Sequence, residues 1–156
     1  MSAPVAEILL RSEAETAALA RRVGAAVRPG DVLLLSGDLG AGKTAFARAL
    51  IQSLQAEHGA AEEVPSPTYT LVQSYRAGDL EILHADLYRL SDPDEVTELG
   101  LEAEGALVLV EWPERAEGLF GPDAVHLHFA MGEGDLRTLT LSGGAAARRL
   151  APVMAA

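Results

Sequence analysis

A chain of 156 residues is long enough for one domain with its own core and too short for two ordinary ones. Its formal net charge of −11 argues against autonomous nucleic-acid binding, because such affinity comes largely from neutralising phosphates, and its lack of cysteine leaves no disulfide or thiolate metal site. No apolar run approaches the roughly 18 residues of a membrane helix, and no basic-then-apolar leader opens the chain, so a cytoplasmic protein with no membrane association is expected.

In chain order, residues 5–10 read as a first strand. Ser12-Glu13-Ala14-Glu15 has the form of a capping box, Ser12 being the N-cap and Glu15 the third helical residue. Leu19, Val23 and Ala26 follow at helical spacing, and Pro29-Gly30 is the expected stop. Val32 to Leu35 is a continuous apolar run, as in a strand buried on both faces. Residues 45–54 are rich in Ala, Leu and Gln, with Phe46, Leu50 and Leu54 four apart on one helical face. His58 reads as a helix C-terminal residue. Residues 59–67 read as a loop, since Pro65-Ser66-Pro67 continues neither helix nor ladder.

Residues 69–75 and 80–86 are expected as strands joined by the short turn Arg76-Ala77-Gly78-Asp79. A short helix is expected from Ser91-Asp92-Pro93-Asp94-Glu95 to a stop at Gly100. Residues 106–110 form another buried strand, ending at Glu111-Trp112-Pro113. Residues 125–131 and 136–141 flank Gly132-Glu133-Gly134-Asp135 as a second hairpin. A final helix with a frayed tail is expected from 145. Hairpins beside strand–helix units predict an α/β P-loop fold in one domain (residues 1–156, core about 5–142), with a mixed parallel and antiparallel sheet.

Between the second strand and its helix lies Gly37-Asp38-Leu39-Gly40-Ala41-Gly42-Lys43-Thr44, a full match to G-x-x-x-x-G-K-[ST]. Lys43 is the only lysine; the other eleven basic residues are arginines. Arginine replaces lysine on most solvated surfaces, but a tight phosphate loop wants a compact point charge on a flexible stem. Given the chain's composition, a chance match is expected on the order of once per thousand such sequences. Strand, glycine loop and helix together aim backbone N–H groups at an anion. Lys43 is expected to reach the β- and γ-phosphates and the Thr44 hydroxyl to coordinate Mg²⁺. Ala45 offers no hydroxyl to the α-phosphate and leaves that contact to its backbone N–H.

A nucleotide–metal complex needs a carboxylate near Thr44, and hydrolysis needs a group to orient water. Glu111 and Asp86 close apolar strands at their C-terminal ends, where open α/β sheets place ligands. Alternation through His84-Ala85-Asp86-Leu87-Tyr88 puts His84, Asp86 and Tyr88 on one face. Thr68, in the proline-flanked Ser66-Pro67-Thr68-Tyr69, is a candidate for a loop that senses the nucleotide. Trp112, the only tryptophan, is open to stacking on a partner, stacking on the nucleotide, or filling core. His126 and His128 share a strand face, but no third ligand accompanies them and they read as ordinary strand histidines.

GDLGAGKT, SPTYTLV, HADLYR and LVEWPE, in this order and spacing, resemble the bacterial TsaE ATPases of tRNA threonylcarbamoyladenosine biosynthesis, from about residue 12 to residue 137. The resemblance implies a small ATPase acting with TsaB and TsaD. TsaD transfers the threonylcarbamoyl group to an adenosine beside the anticodon, and the TsaE-like subunit regulates or resets that machinery. tRNA is then met only through the complex. Carried over residue by residue, Asp38, Leu39, Gly40, Ala41, Gly42, Lys43, Thr44 and Ala45 would bind ATP. Thr44 and Glu111 would hold Mg²⁺, and Asp86 and Thr68 would support hydrolysis with Lys43 and Glu111. Trp112 would lie near nucleotide or partner, with Ser12, Thr16 and Arg137 toward the nucleotide. Two rival classes share these residues: a small-molecule kinase, which would need an arginine-bearing lid, and a nucleotide-gated binding module with negligible hydrolysis. A GTPase is disfavoured, because an [NT]KxD motif needs a second lysine.

Overall fold

A computed structural model describes residues 4–38, 40–57, 71–90, 92, 94–95, 99–101, 104–116 and 118–155. Seven strands form one sheet: β1 (Ala6–Leu10), β2 (Val32–Gly37), β3 (Val72–Ala77), β4 (Leu80–Asp86), β5 (Leu107–Glu111), β6 (Val125–Met131) and β7 (Arg137–Ser142), in the spatial order β1-β7-β6-β2-β5-β4-β3. The central four, β6-β2-β5-β4, run parallel. The β3–β4 and β6–β7 hairpins and the β1–β7 pair add antiparallel strands at both edges. The mixed sheet expected from hairpins beside strand–helix units is therefore present.

Central parallel strands must be apolar on both faces, and every residue of β5 is buried. One face carries the three α-helices among the described residues, α1 (Glu13–Gly24), α2 (Lys43–Ala56) and α3 (Ala145–Ala155), over Leu33, Leu35, Ile82, Leu107, Leu109, Leu127 and Phe129. The other face is covered around Leu34, Leu83, Ala85, Val108 and Val110 by connections near Leu87, Leu101, Ala116 and Leu119, which include a 3-10 turn over Pro113–Ala116 but no α-helix among the described residues. Local periodicity does not contain this one-sided placement.

Ser12 caps α1 as expected: its Oγ accepts from the Glu15 N–H at 3.2 Å. Glu15 reaches one residue further back than the standard box, accepting from the Arg11 N–H at 2.8 Å. The helix also ends earlier than Pro29-Gly30: the Ala25 N–H closes it onto the Arg21 carbonyl. The C-terminal segment is helix rather than frayed tail. Leu150 and Met154 are buried, and Arg22 of α1 donates to the carbonyls of Val153 and Met154 at 3.1 and 3.2 Å. A basic side chain there satisfies carbonyls the helix end would leave bare.

His58, the loop at 59–67, Thr68 and the start of the strand expected at 69 lie outside the described residues, as do several positions of the helix expected after Ser91. His126 and His128 do share a face and are exposed, and among the described residues no three potential ligands gather for a metal. No helix among them is long and apolar enough to cross a membrane.

Candidate nucleotide-binding site

At the C-terminal end of β2 the chain turns through Gly37, Gly40 and Gly42, with φ of 138°, 80° and 109°, a region that favours glycine. At Gly37 a Cβ would also run into the carbonyl oxygen of Phe129 on β6. Gly42 starts α2 with no side-chain cap, so the first N–H groups of that helix keep no internal partner. Beneath the loop, Phe46 and Phe129 pack edge to face, centroids 5.7 Å apart, and fix its height above the sheet. Arg137 of β7 donates to the Gly40 carbonyl at 3.3 Å and to those of Gly134 and Leu136 at 3.0 and 2.9 Å. The second hairpin is thereby tied to the loop.

The register sets β4 beside β5 so that Asp86 pairs with Glu111, and β5 beside β2 so that Glu111 pairs with Leu35. Both strand-end acids therefore arrive at the first turn of α2. The Thr44 hydroxyl donates to Glu111 Oε1 at 2.6 Å, across 67 residues of chain. Glu111 is only 2% exposed, and its other oxygen, Oε2, lies 2.7 Å from His84 Nε2. Asp86 Oδ1 accepts from the Tyr88 N–H at 3.0 Å. Burial pushes the Asp86 carboxyl above its ordinary value; the Tyr88 N–H opposes this, the Glu111 charge adds to it, and His84 and Lys43 oppose it.

Lys43 is 4% exposed and donates to the carbonyls of Gly37 and Asp38, the latter at 3.4 Å. Its ammonium sits 3.5 Å from the centroid of the Trp112 ring, a cation–π contact. Desolvation lowers the lysine pKa, opposed by Glu111, Glu114, Asp86 and Asp38. Trp112 holds φ 59°, the one described non-glycine residue with positive φ, an unusual conformation for a bulky side chain. Its ring meets Tyr88 at 4.8 Å, and the Arg115 guanidinium lies 5.6 Å from the Tyr88 ring. Of the three readings open to Trp112, core filling alone does not describe a ring that covers the loop lysine.

A cleft of about 330 Å³ is lined by Glu13, Gly40, Gly42, Lys43, Thr44, Ala45, Asp86, Glu111 and Trp112. Eight of the residues singled out from sequence as nucleotide or catalytic groups, Trp112 among them, thus line one hollow together with Glu13. Ala41 is buried beneath the loop, and its N–H bonds the Asp38 carbonyl at 3.1 Å. Leu39 and Thr68 lie outside the described residues. Ser12 and Thr16 stand within the start of α1, where the Ser12 hydroxyl caps the helix and the Thr16 hydroxyl donates to the Ser12 carbonyl at 3.3 Å. Glu13 was not legible as a site residue, because its approach depends on how α1 packs on α2. A larger cleft of about 680 Å³ opens at the opposite end of the strands, where Arg149 is already paired with Asp31 at 2.7 Å.

The family model described as "Threonylcarbamoyl adenosine biosynthesis protein TsaE" matches residues 10–139. Proteins named tRNA threonylcarbamoyladenosine biosynthesis protein TsaE are similar in sequence. That of Rickettsia conorii is 42% identical over 121 residues, covering 76% of this chain and 67% of its own length. That of Bacillus subtilis is 36% identical over 132 residues, covering 82% and 79%, and that of Aquifex aeolicus 41% over 109 residues, covering 70% and 77%. The crystal structure of YdiB from Bacillus subtilis superposes with a TM-score of 0.75 at 27% identity, across 99% of this chain and 96% of that one. With the phosphate loop, the acid-tipped strands and the mixed sheet on the same chain, these matches make it a member of the TsaE family.

Proposed function

We propose that this protein is a cytoplasmic, Mg²⁺-dependent ATPase that serves the threonylcarbamoyladenosine modification of tRNA, regulating or resetting a transferase made of TsaD and TsaB. The observation that carries the ATPase reading is the 2.6 Å contact between Thr44 and Glu111 at the mouth of a glycine loop. A hydroxyl and a carboxylate at that spot suit a metal that arrives with its nucleotide. Mg²⁺ keeps several waters and takes only one or two protein oxygens besides phosphate, so two protein donors fit it without a dedicated cage.

Backbone N–H groups of residues 40 and 42–45 would bind the phosphates, with Lys43 balancing their charge. Thr44 and Glu111 would hold Mg²⁺, which when bound neutralises charge building on the phosphate oxygens. Asp86, which lines the same cleft as Glu111 and pairs with it across β4 and β5, would orient the attacking water and accept its proton. The water oxygen bonds to the γ-phosphorus as the bond to the β–γ bridging oxygen breaks, and the electron pair leaves with ADP. Trp112 would shift from Lys43 as phosphate enters, linking nucleotide state to the surface made by Trp112, Tyr88 and Arg115. The strongly acidic chain leaves contact with tRNA to its partners.

Pull-down of purified TsaB and TsaD with ATP, ADP or no nucleotide tests this reading. Capture that depends on nucleotide is expected. Equal capture in all three conditions, or none in any, would rule out a nucleotide-driven accessory role.

A further inference from the structure

His84 has no part in the chemistry described so far, yet it is fully buried and sits against the carboxylate on which that chemistry depends. It lies on β4, two residues before Asp86 and on the same face, and its side chain is 0% exposed. Nε2 is 2.7 Å from Glu111 Oε2, while Nδ1 is buried without a hydrogen-bond partner. A buried imidazole with one engaged and one bare nitrogen is accounted for if Nε2 carries the hydrogen and donates it to the carboxylate. The bare Nδ1 is then only an unfilled acceptor; the opposite tautomer would bury an unpartnered N–H and set two lone pairs facing each other.

We propose that His84 is a positioning residue for the metal site: it holds Glu111 Oε2, so that Oε1 stays turned to Thr44. The two oxygens of Glu111 then have separate tasks, one tied to β4 and one presented to the hydroxyl 2.6 Å away. Without the tie, the carboxylate would be free to rotate about its last torsion, which is broad and weakly restrained. Thr44 would lose a fixed acceptor, and with it the orientation of its own lone pairs toward a cation. Outer groups of this kind commonly change metal affinity or activity by about 10–100-fold. The inference rests on Thr44 and Glu111 being the metal-holding pair.

The test uses the full chain and three variants: His84→Leu, which removes the donor at similar volume, His84→Gln, which keeps an N–H donor, and Glu111→Gln. ATP binding is followed by calorimetry across a Mg²⁺ titration and again in excess EDTA. For His84→Leu, a rise of about tenfold or more in half-saturating Mg²⁺ is expected, with metal-free ATP affinity within about twofold of wild type. His84→Gln should recover most of that loss. In the double variant His84→Leu/Glu111→Gln, the loss should be close to that of Glu111→Gln alone, because His84 acts only through the carboxylate already removed.

Wild-type Mg²⁺ dependence in His84→Leu would overturn the assignment, as would full additivity of the two losses. So would His84→Gln behaving no better than leucine, or failing to fold, since the imidazole would then serve packing alone. Wild-type protein that binds ATP with no response to Mg²⁺ would instead remove the metal-site reading underneath, a separate and distinguishable failure.

Discussion

Replacing Lys43 with methionine keeps the buried stem and removes the charge. The ammonium now donates to two carbonyls and lies 3.5 Å from the Trp112 centroid. A phosphate charge arriving about 4 Å away is worth about 4 kcal/mol at an effective dielectric of about 20. Giving up the cation–π contact offsets about 1 kcal/mol of that, leaving about 3 kcal/mol, or roughly a hundredfold in ATP dissociation constant. Folding should be little affected, because burial disfavours the charged lysine and methionine fills the same space. Calorimetric titration with ATP and thermal melts of the free protein read the two effects separately. An affinity within about threefold of wild type would refute a phosphate-facing lysine, since 3 kcal/mol is about two decades. A melting point lowered by more than ~10 °C would mean that Lys43 chiefly braces the end of β2, because such a drop is several kcal/mol in a chain of this size.

Glu111→Gln should still bind ATP while Mg²⁺-dependent release of phosphate collapses by about a hundredfold or more, as is usual when a metal-holding group is lost; wild-type rates would exclude the metal role. For Asp86→Asn, the sign follows from burial raising the carboxyl pKa above its ordinary 3.8. The ionised form costs folding stability above the raised value, and that cost disappears as pH falls through it toward 3.8. The variant should melt higher than wild type near neutral pH, converge with it in acid, and hydrolyse ATP poorly; a lower melting point at pH 7 contradicts this. Trp112 fluorescence should change on saturation with ATP, as its ring lies against the loop lysine, and an unchanged spectrum at saturation would mean the ring does not move. Leu150→Ala in α3 should cost about 2–5 kcal/mol in denaturant unfolding, whereas a loss below about 0.5 kcal/mol would make the helix peripheral.

What could be read from sequence was what is local. The loop is contiguous, so its glycines, Lys43 and Thr44 announce themselves through spacing, and strand β4 occupies the residues 80–86 expected from a largely apolar run after a short turn. Glu111 and Asp86 were legible as strand-end acids because apolar runs stop at them. Their convergence on Thr44 was not, since it depends on β5 lying between β2 and β4, and the order of parallel strands leaves no periodic trace. The same holds for β6, which pairs with β7 as a hairpin but also inserts beside β2. His84 was visible on the face of Asp86, but its bond to Glu111 comes from the β4–β5 register. Trp112 over Lys43 depends on a positive φ that no propensity foretells for tryptophan.

The most direct measurement is a crystal structure with Mg²⁺ and a non-hydrolysable ATP analogue. The β- and γ-phosphates should lie on the N–H groups of residues 40 and 42–45, with Lys43 against them and Mg²⁺ beside Thr44 and Glu111. A triphosphate bound elsewhere, or a metal on the analogue remote from both side chains, would contradict the account.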